Sequence, residues 1–146
     1  MKRLQHFEEK KDYAIYRPSG QISFAEGVEL ISWAVIRCRN KGISKLLIDT
    51  TGLPGFRPPG LTEQFALAER IAAEAQSLVT IAHVASSEWI RFGKFGLVVA
   101  RNRGLDASNF SSEAEALNWL LSPPIKSAEN LSGRTLESGG ISRAEA

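Results

Sequence analysis

The sequence predicts a small α/β domain, in which a mostly parallel sheet is wound with four helices and followed by a flexible C-terminal tail. Three observations lead to this fold class. Short apolar runs alternate with longer segments in which apolar residues recur every three or four positions. Serine and glutamate pairs mark helix starts, and glycine marks a helix end. Strands that alternate with helices across short connections are typical of βαβ units, whose strands run parallel.

The N-terminal part predicts two short strands and then a helix. Residues 3–22 contain the aromatic and β-branched run Tyr13-Ala14-Ile15-Tyr16, which suits a strand. Ser23 and Glu26 form a capping box, and Gly42 can adopt the left-handed conformation that ends a helix. We therefore expect a helix over about residues 24–41. Its inward stripe contains Phe24, Val28, Ile31, Val35 and Cys38.

Three further strands and three further helices follow. Residues 45–49 and 78–85 are short apolar runs that suit strands covered on both faces, and residues 107–110 form a short final strand. The helices are expected at about residues 62–76, 87–102 and 112–121. The inward face of the first of them contains Phe65, Ala68, Ile71, Ala72 and Ala75, and that of the last contains Leu117, Leu120 and Leu121. The pattern does not determine whether helices cover one face of the sheet or both.

Residues 1–121 carry all of these segments, and we assign them to one domain. That length is ordinary for a single domain, and the whole chain has 146 residues. Residues 122–146 begin with Ser-Pro-Pro and then consist mostly of Ser, Gly, Glu, Arg and Ala. We interpret this segment as a flexible tail.

Charge and composition argue against several classes of function. There are 18 Lys and Arg against 16 Asp and Glu, and a net charge of +2 is too small to predict a nucleic-acid partner. The single cysteine, Cys38, excludes an intrachain disulfide and a multi-cysteine zinc site. The longest apolar runs fall far short of the roughly 20 residues that cross a bilayer, so we expect no membrane insertion. Without an apolar segment after the N-terminus, the expected location is the cytoplasm.

No motif of an enzyme, cofactor or metal site is present. The chain has no Walker loop, no Gly-x-Gly-x-x-Gly and no Gly-x-Ser-x-Gly, so we expect no cofactor and no catalysis. His83 shares a strand face with Val79 and Ile81, which favours a hydrogen-bonded core or edge histidine over a metal ligand.

The order of the segments resembles that of the SpoIIAA-like, or STAS-like, bacterial domains. The resemblance covers roughly residues 3–121. It rests on Leu46-Leu47-Ile48-Asp49 with Thr51-Gly52-Leu53, Val79-Thr80-Ile81-Ala82, Ala100-Arg101-Asn102-Arg103-Gly104-Leu105, and Phe110 to Leu120. It implies a βα superhelix that docks on partner proteins and is switched by phosphorylation of a serine or threonine at the start of the second helix. A related fold in lipid-transfer proteins encloses an apolar ligand.

The loop before the second helix departs from the regulatory pattern of that family. It reads Phe56-Arg57-Pro58-Pro59-Gly60-Leu61-Thr62, without the aspartate-serine pair of regulatory STAS domains. Thr62 is nearest to the switch position, and with Arg57 it is the candidate phospho-acceptor or anion site. Alternatively, Thr62 only caps the helix. Asp49 either binds a ligand at the carboxyl edge of the sheet or anchors the turn after it.

Trp33 is the unusual residue of the first helix, because it lies opposite the apolar stripe. A tryptophan on a polar face is typical of an interface, although the tail or an N-terminal strand could cover it. The candidate partner-binding residues are Trp33, Leu30, Ile36, Asp49, Thr50, Thr51 and Phe56. Arg91, Lys94 and Arg101 are interpreted as a solvated face of the third helix.

These expectations favour a non-catalytic protein-interaction or regulatory module of STAS-like type, which binds an unknown protein partner or a second copy of itself. The alternative is a carrier of a small apolar ligand such as a lipid. Such a ligand would lie between sheet and helices and enter beside Phe56, Phe65 or Phe92.

Overall fold

The computed structural model describes residues 5–122, where five strands form one sheet with helices on both faces. The strands are β1 (Phe7–Glu9), β2 (Ala14–Tyr16), β3 (Lys45–Asp49), β4 (Thr80–Val84) and β5 (Ala107–Phe110), and the helices are α1 (Phe24–Lys41), α2 (Leu61–Ala75), α3 (Ser87–Phe92), α4 (Lys94–Asn102) and α5 (Glu113–Leu121). The strands lie side by side in chain order. β2 to β5 are parallel and β1 is antiparallel to β2, so the predicted mostly parallel sheet is confirmed. None of the described helices is long and apolar enough to cross a membrane.

Alternating side chains of the central strand separate the core into two hydrophobic clusters. Leu46 and Ile48 of β3 belong to the larger cluster, which also contains residues of α1, α2, α3 and α4. Leu47 points to the opposite face and packs with Ala116 and Leu120 of α5. Helices therefore cover both faces of the sheet, four on one side and α5 on the other.

Helix α1 has the predicted ends. The Glu26 amide donates to the Ser23 hydroxyl at 3.1 Å, and the Ser23 amide donates to the Glu26 carboxylate at 3.0 Å. Gly42 ends the helix with a φ of 74°, which is in the left-handed region. Cys38 is fully buried, and burial raises the pKa of its thiol to about 12, so it is a core residue as predicted.

The prediction of four helices is wrong, because the segment expected to form the third helix is broken at Gly93 into α3 and α4. The Gly93 amide still donates to the Trp89 carbonyl, at 2.9 Å. A Cβ atom at position 93 would lie only 2.6 Å from the Trp89 ring, so only glycine fits at this junction. An isolated glycine is tolerated within a helix, which explains why the sequence pattern did not reveal the break.

Two other helix faces differ from the prediction. In α2, Phe65 is 37% exposed, whereas Gln64 is 3% exposed and takes the inward position. The helix starts at Leu61 with Gly60 at its N-cap, so Thr62 lies in the first turn and does not cap it. In α5, Leu120 is buried as predicted but Leu121 is 41% exposed.

At the start of α5, the Glu115 amide donates to the Ser112 hydroxyl, whereas the Glu115 carboxylate accepts from Ser111, so this serine and glutamate pair forms only half of a capping box. Arg17, which follows β2, fastens the start of this helix with two hydrogen bonds to Glu113, at 2.7 and 2.9 Å. Of the predicted flexible tail, residues 123–146 lie outside the described residues.

Candidate functional site

A cavity of about 110 Å³ lies between the sheet and helices α2 and α4. Most of its lining is apolar, from Ile48, Ile71, Ile81, Trp89, Leu97 and Leu105. A few polar side chains join them, namely Gln64, His83, Ser108 and Asn109. An apolar enclosure with a small number of polar groups is the usual composition of a small-molecule site.

Small residues on the helices leave this space open. Ala68 of α2 and Ala100 of α4 line the cavity, and longer side chains at either position would extend into it. Gly96 of α4 also lines the cavity and lies against α2, since a Cβ atom there would be 3.4 Å from the Cβ of Gln64. α4 therefore packs closely on α2 while space remains between these helices and the sheet.

Gln64 holds one wall of the cavity in place. Its Nε2 donates to the carbonyls of Pro59 and Phe92, both at 2.9 Å, and its Oε1 accepts from the Gly96 amide at 3.0 Å. These bonds tie the start of α2 to the junction between α3 and α4. The side-chain amide is occupied by the protein itself, so Gln64 is a positioning residue of the site.

His83 connects the polar ends of three neighbouring strands. Its Nε2 is 2.8 Å from the hydroxyl of Thr50, and its Nδ1 is 3.0 Å from Oδ1 of Asn109. Because that amide oxygen only accepts, Nδ1 carries the proton and Nε2 accepts from Thr50. Burial lowers the pKa of His83 to about 4, so the ring is neutral at neutral pH. The prediction of a hydrogen-bonded histidine is confirmed.

The row Thr50–His83–Asn109 has the order of a nucleophile, a base and a group that orients the base. Two observations argue against that chemistry. Thr50 is 3% exposed, so a substrate carbonyl could not approach its hydroxyl without movement of the surrounding chain. A base with a pKa near 4 is also far from the value that is efficient at neutral pH. The row fastens the end of β3 to β4 and β5.

Asn109 contributes a side-chain amide to the lining of the cavity. Its Oδ1 is engaged by His83, whereas its Nδ2 has no hydrogen-bond partner among residues 5–122. Asn109 itself lines the cavity and is partly buried. A ligand with one acceptor atom could therefore accept from this amide while its apolar part contacts the rest of the lining.

Phe56 lies in the interior beside the cavity. It stacks between Phe24 and Trp89, with ring centroids 4.9 and 5.1 Å away, and its carbonyl accepts from the Trp89 indole at 2.7 Å. Phe56 is 5% exposed. Phe56 and the equally buried Thr50 thus lie inside the domain, although both were candidates for contact with a partner.

A second pocket, of about 250 Å³, lies at the carboxyl edge of the sheet and is lined by Thr51, Arg57 and Glu88 among others. Arg57 donates two hydrogen bonds to Glu88, at 2.7 and 3.2 Å, so its guanidinium already has a carboxylate partner. Thr62 is exposed in the first turn of α2. Asp49 anchors the turn, as its Oδ1 accepts from the Thr51 amide at 2.9 Å and the Thr51 hydroxyl at 2.6 Å.

The residues of the predicted Trp33 surface are less exposed than expected. Trp33 and Leu30 are partly buried and pack against the larger hydrophobic cluster, and Ile36 is partly buried. The polar-face position of Trp33 in α1 therefore does not leave its ring free on the surface.

Sequence reasoning did not single out Gln64, Trp89 or Asn109 as site residues. The register of the parallel strands places Asn109 directly opposite His83, which only the paired sheet reveals. Within the described part of the chain, no group of three or more His, Cys, Asp or Glu side chains could hold a metal ion. Comparison of the chain with protein-family models, curated proteins and solved structures finds no match.

Proposed function

We propose that this domain binds a small apolar ligand in the cavity between α2, α4 and the sheet. The observation that carries the proposal is the cavity itself, which combines an apolar lining with a few polar side chains, Asn109 among them. Proteins seldom leave such space in a close-packed core, because the surrounding groups lose contacts. This was the alternative from the sequence, and it now takes precedence because Trp33 packs against the core.

The volume limits the ligand. An engineered apolar cavity of roughly 150 Å³ binds benzene. This cavity, of about 110 Å³, is smaller, so the part of a ligand that it holds is at most one small ring or a short branched chain. Pockets for drug-sized molecules measure roughly 300–1,000 Å³. A complete lipid would therefore require α4 to move away from the sheet, whereas the end of one acyl chain would not.

We infer that the fold around this site is of the STAS-like type. The resemblance implies a βα superhelix, and the sequential strand order with α1, α2 and α3–α4 on one face of the sheet supports it. The cavity lies between these crossover helices and the sheet. That space is where the ligand of the lipid-transfer relatives was expected.

Filling the cavity tests the proposal. Ala100→Leu adds three carbons to the lining and should abolish binding of benzene, monitored by NMR of the methyl groups of Ile71 and Ile81. Ala114→Leu makes the same change at an exposed position of α5 and should bind like the unaltered protein. Saturable shifts confined to cavity methyl groups are expected. Absence of shifts in the unaltered protein, or equal shifts in Ala100→Leu, would contradict the proposal.

A protein-interaction role is the second candidate, and the pocket at the carboxyl edge of the sheet favours it. The exposed Arg57–Glu88 pair could exchange its internal partner for an acidic group of another protein. Arg57→Glu should then weaken a complex isolated from the source cells, while the domain keeps its melting temperature. A complex that survives this substitution unchanged would rule out the pocket as the contact.

A further inference from the structure

We propose that an exposed apolar surface at the α2 and α3–α4 junction docks this protein on an anionic lipid membrane at headgroup level. We call it the phenylalanine surface, and it consists of Leu61, Phe65, Phe92, Phe95 and Val98. The exposed fractions of the three most C-terminal members are 56% for Phe92, 41% for Phe95 and 52% for Val98. This inference goes beyond ligand binding and does not require it.

The backbone positions of the phenylalanine surface are neighbours. Gln64, next to Phe65 in the chain, bonds to the Phe92 carbonyl and to the amide of Gly96, which follows Phe95. The Phe65 ring itself lies under the guanidinium of Arg103, 5.4 Å from its centre, so α2 and α4 carry these residues side by side. Phe95 and Val98 are three residues apart on α4, a spacing that places side chains on the same helix face.

The concentration of apolar side chains here is unusual within the described part of the chain. Residues 5–122 contain seven exposed large hydrophobic residues, and five of them form this surface. Single exposed apolar residues are ordinary, whereas a cluster of them marks a binding surface. The other two, Leu78 in the connection between α2 and β4 and Leu121 at the end of α5, lie elsewhere and provide controls.

Basic side chains border the cluster. Arg91 and Lys94 are exposed, and neither takes part in any ion pair found within residues 5–122. The guanidinium carbon of Arg91 lies 5.6 Å from the centre of the Phe92 ring, so charge and ring are presented together. By contrast, Arg101 donates to the Ala107 carbonyl at 3.0 Å and serves the fold.

A lipid membrane is the partner that fits this combination. Its surface is anionic, and apolar chains lie a few ångströms below, so phenylalanine rings can enter the boundary while Arg91 and Lys94 remain among the headgroups. Each basic side chain near an anionic bilayer contributes roughly a fivefold gain in binding. The surface lies on the outer side of α2 and α4, whose inner sides line the cavity. A ligand dissolved in the membrane would therefore be close to its binding site.

Co-sedimentation of the full chain with vesicles tests the proposal. Binding is expected to vesicles of equal parts phosphatidylglycerol and phosphatidylcholine, to be weak with phosphatidylcholine alone, and to decrease with salt. Arg91→Gln with Lys94→Gln should weaken it roughly 25-fold. Phe92→Ser with Phe95→Ser should reduce it to the level of neutral vesicles. Leu78→Ser with Leu121→Ser is the matched control and should bind like the unaltered chain.

Three results would overturn this inference. The first is that the unaltered chain does not bind anionic vesicles at low salt. The second is that the Phe92→Ser, Phe95→Ser variant melts cooperatively and binds vesicles as tightly as the unaltered chain. The third is that the unaltered chain self-associates in sedimentation velocity and this variant does not. The last result would assign the surface to contact between two copies. The cavity variant Ala100→Leu should still bind vesicles, so failure of the ligand proposal can be distinguished from failure of this one.

Discussion

At the residue scale, His83 shows what a sequence can and cannot predict about a site. Its place on an apolar strand face indicated a satisfied core or edge histidine, and both of its ring nitrogens are hydrogen-bonded. Its partners could not be predicted, because Thr50 and Asn109 come from other strands and approach only through the sheet register. Gln64 was missed for a related reason. Burial of a glutamine side chain is unfavourable unless hydrogen bonds satisfy its amide, and the backbone groups that do so here come from distant parts of the chain.

The low pKa of His83 predicts acid sensitivity. The folded ring titrates near pH 4 and the unfolded one near pH 6.5, so the unfolded state takes up the proton first as pH falls. The associated stability is present above pH 6.5 and is lost progressively down to pH 4. Between pH 7 and 4, the unfolding free energy should decrease more in the unaltered protein than in His83→Gln, by up to about 3 kcal/mol. Urea denaturation across that range measures the difference, and parallel curves would contradict it.

At the element scale, helix ends with local signals were predictable and contacts between elements were not. Ser23, Glu26 and Gly42 set the bounds of α1 through interactions a few residues apart. The break at Gly93 depends instead on the Trp89 ring, and the exposure of Phe65 depends on how α2 packs against α4. The cavity arises from those same contacts, so it had no sequence signal beyond the small residues of α2 and α4.

Removal of the Gln64 amide should weaken this helical layer. Gln64→Leu keeps a similar size but leaves the Pro59 and Phe92 carbonyls and the Gly96 amide without their partner. We expect a loss of at least about 3 kcal/mol in unfolding free energy, since each of the three unsatisfied groups costs roughly 1–3 kcal/mol. Chemical denaturation is the measurement. Gln21→Leu, at an exposed position, should change stability by less than about 0.5 kcal/mol, and a similarly small loss in Gln64→Leu would contradict the bracing role.

At the scale of the whole molecule, the fold class was predictable because alternation of strands and helices constrains topology. The mostly parallel sheet follows from that alternation, whereas the position of α5 on the opposite face does not. Side chains from β2, β3 and β4 pack against Ala116 and Leu120 of α5, and the Arg17–Glu113 pair fixes the start of this helix. Both clusters are built from residues 7–120.

A chain shortened to residues 1–122 should therefore fold independently. Its melting temperature is expected to lie within about 2 °C of that of the full chain, because both hydrophobic clusters are retained. Differential scanning calorimetry of the two chains measures this. A larger decrease, or loss of cooperative melting, would show that residues 123–146 contribute to the stability of the domain.

The most direct test of the central claim is a crystal structure of the protein under xenon pressure, since xenon occupies dry apolar cavities that are large enough to hold it. We predict a xenon atom between α2, α4 and the sheet, in contact with Ile71, Leu97 and Leu105. A site filled by ordered water, or closed by side chains that meet across it, would contradict an apolar ligand site in this domain.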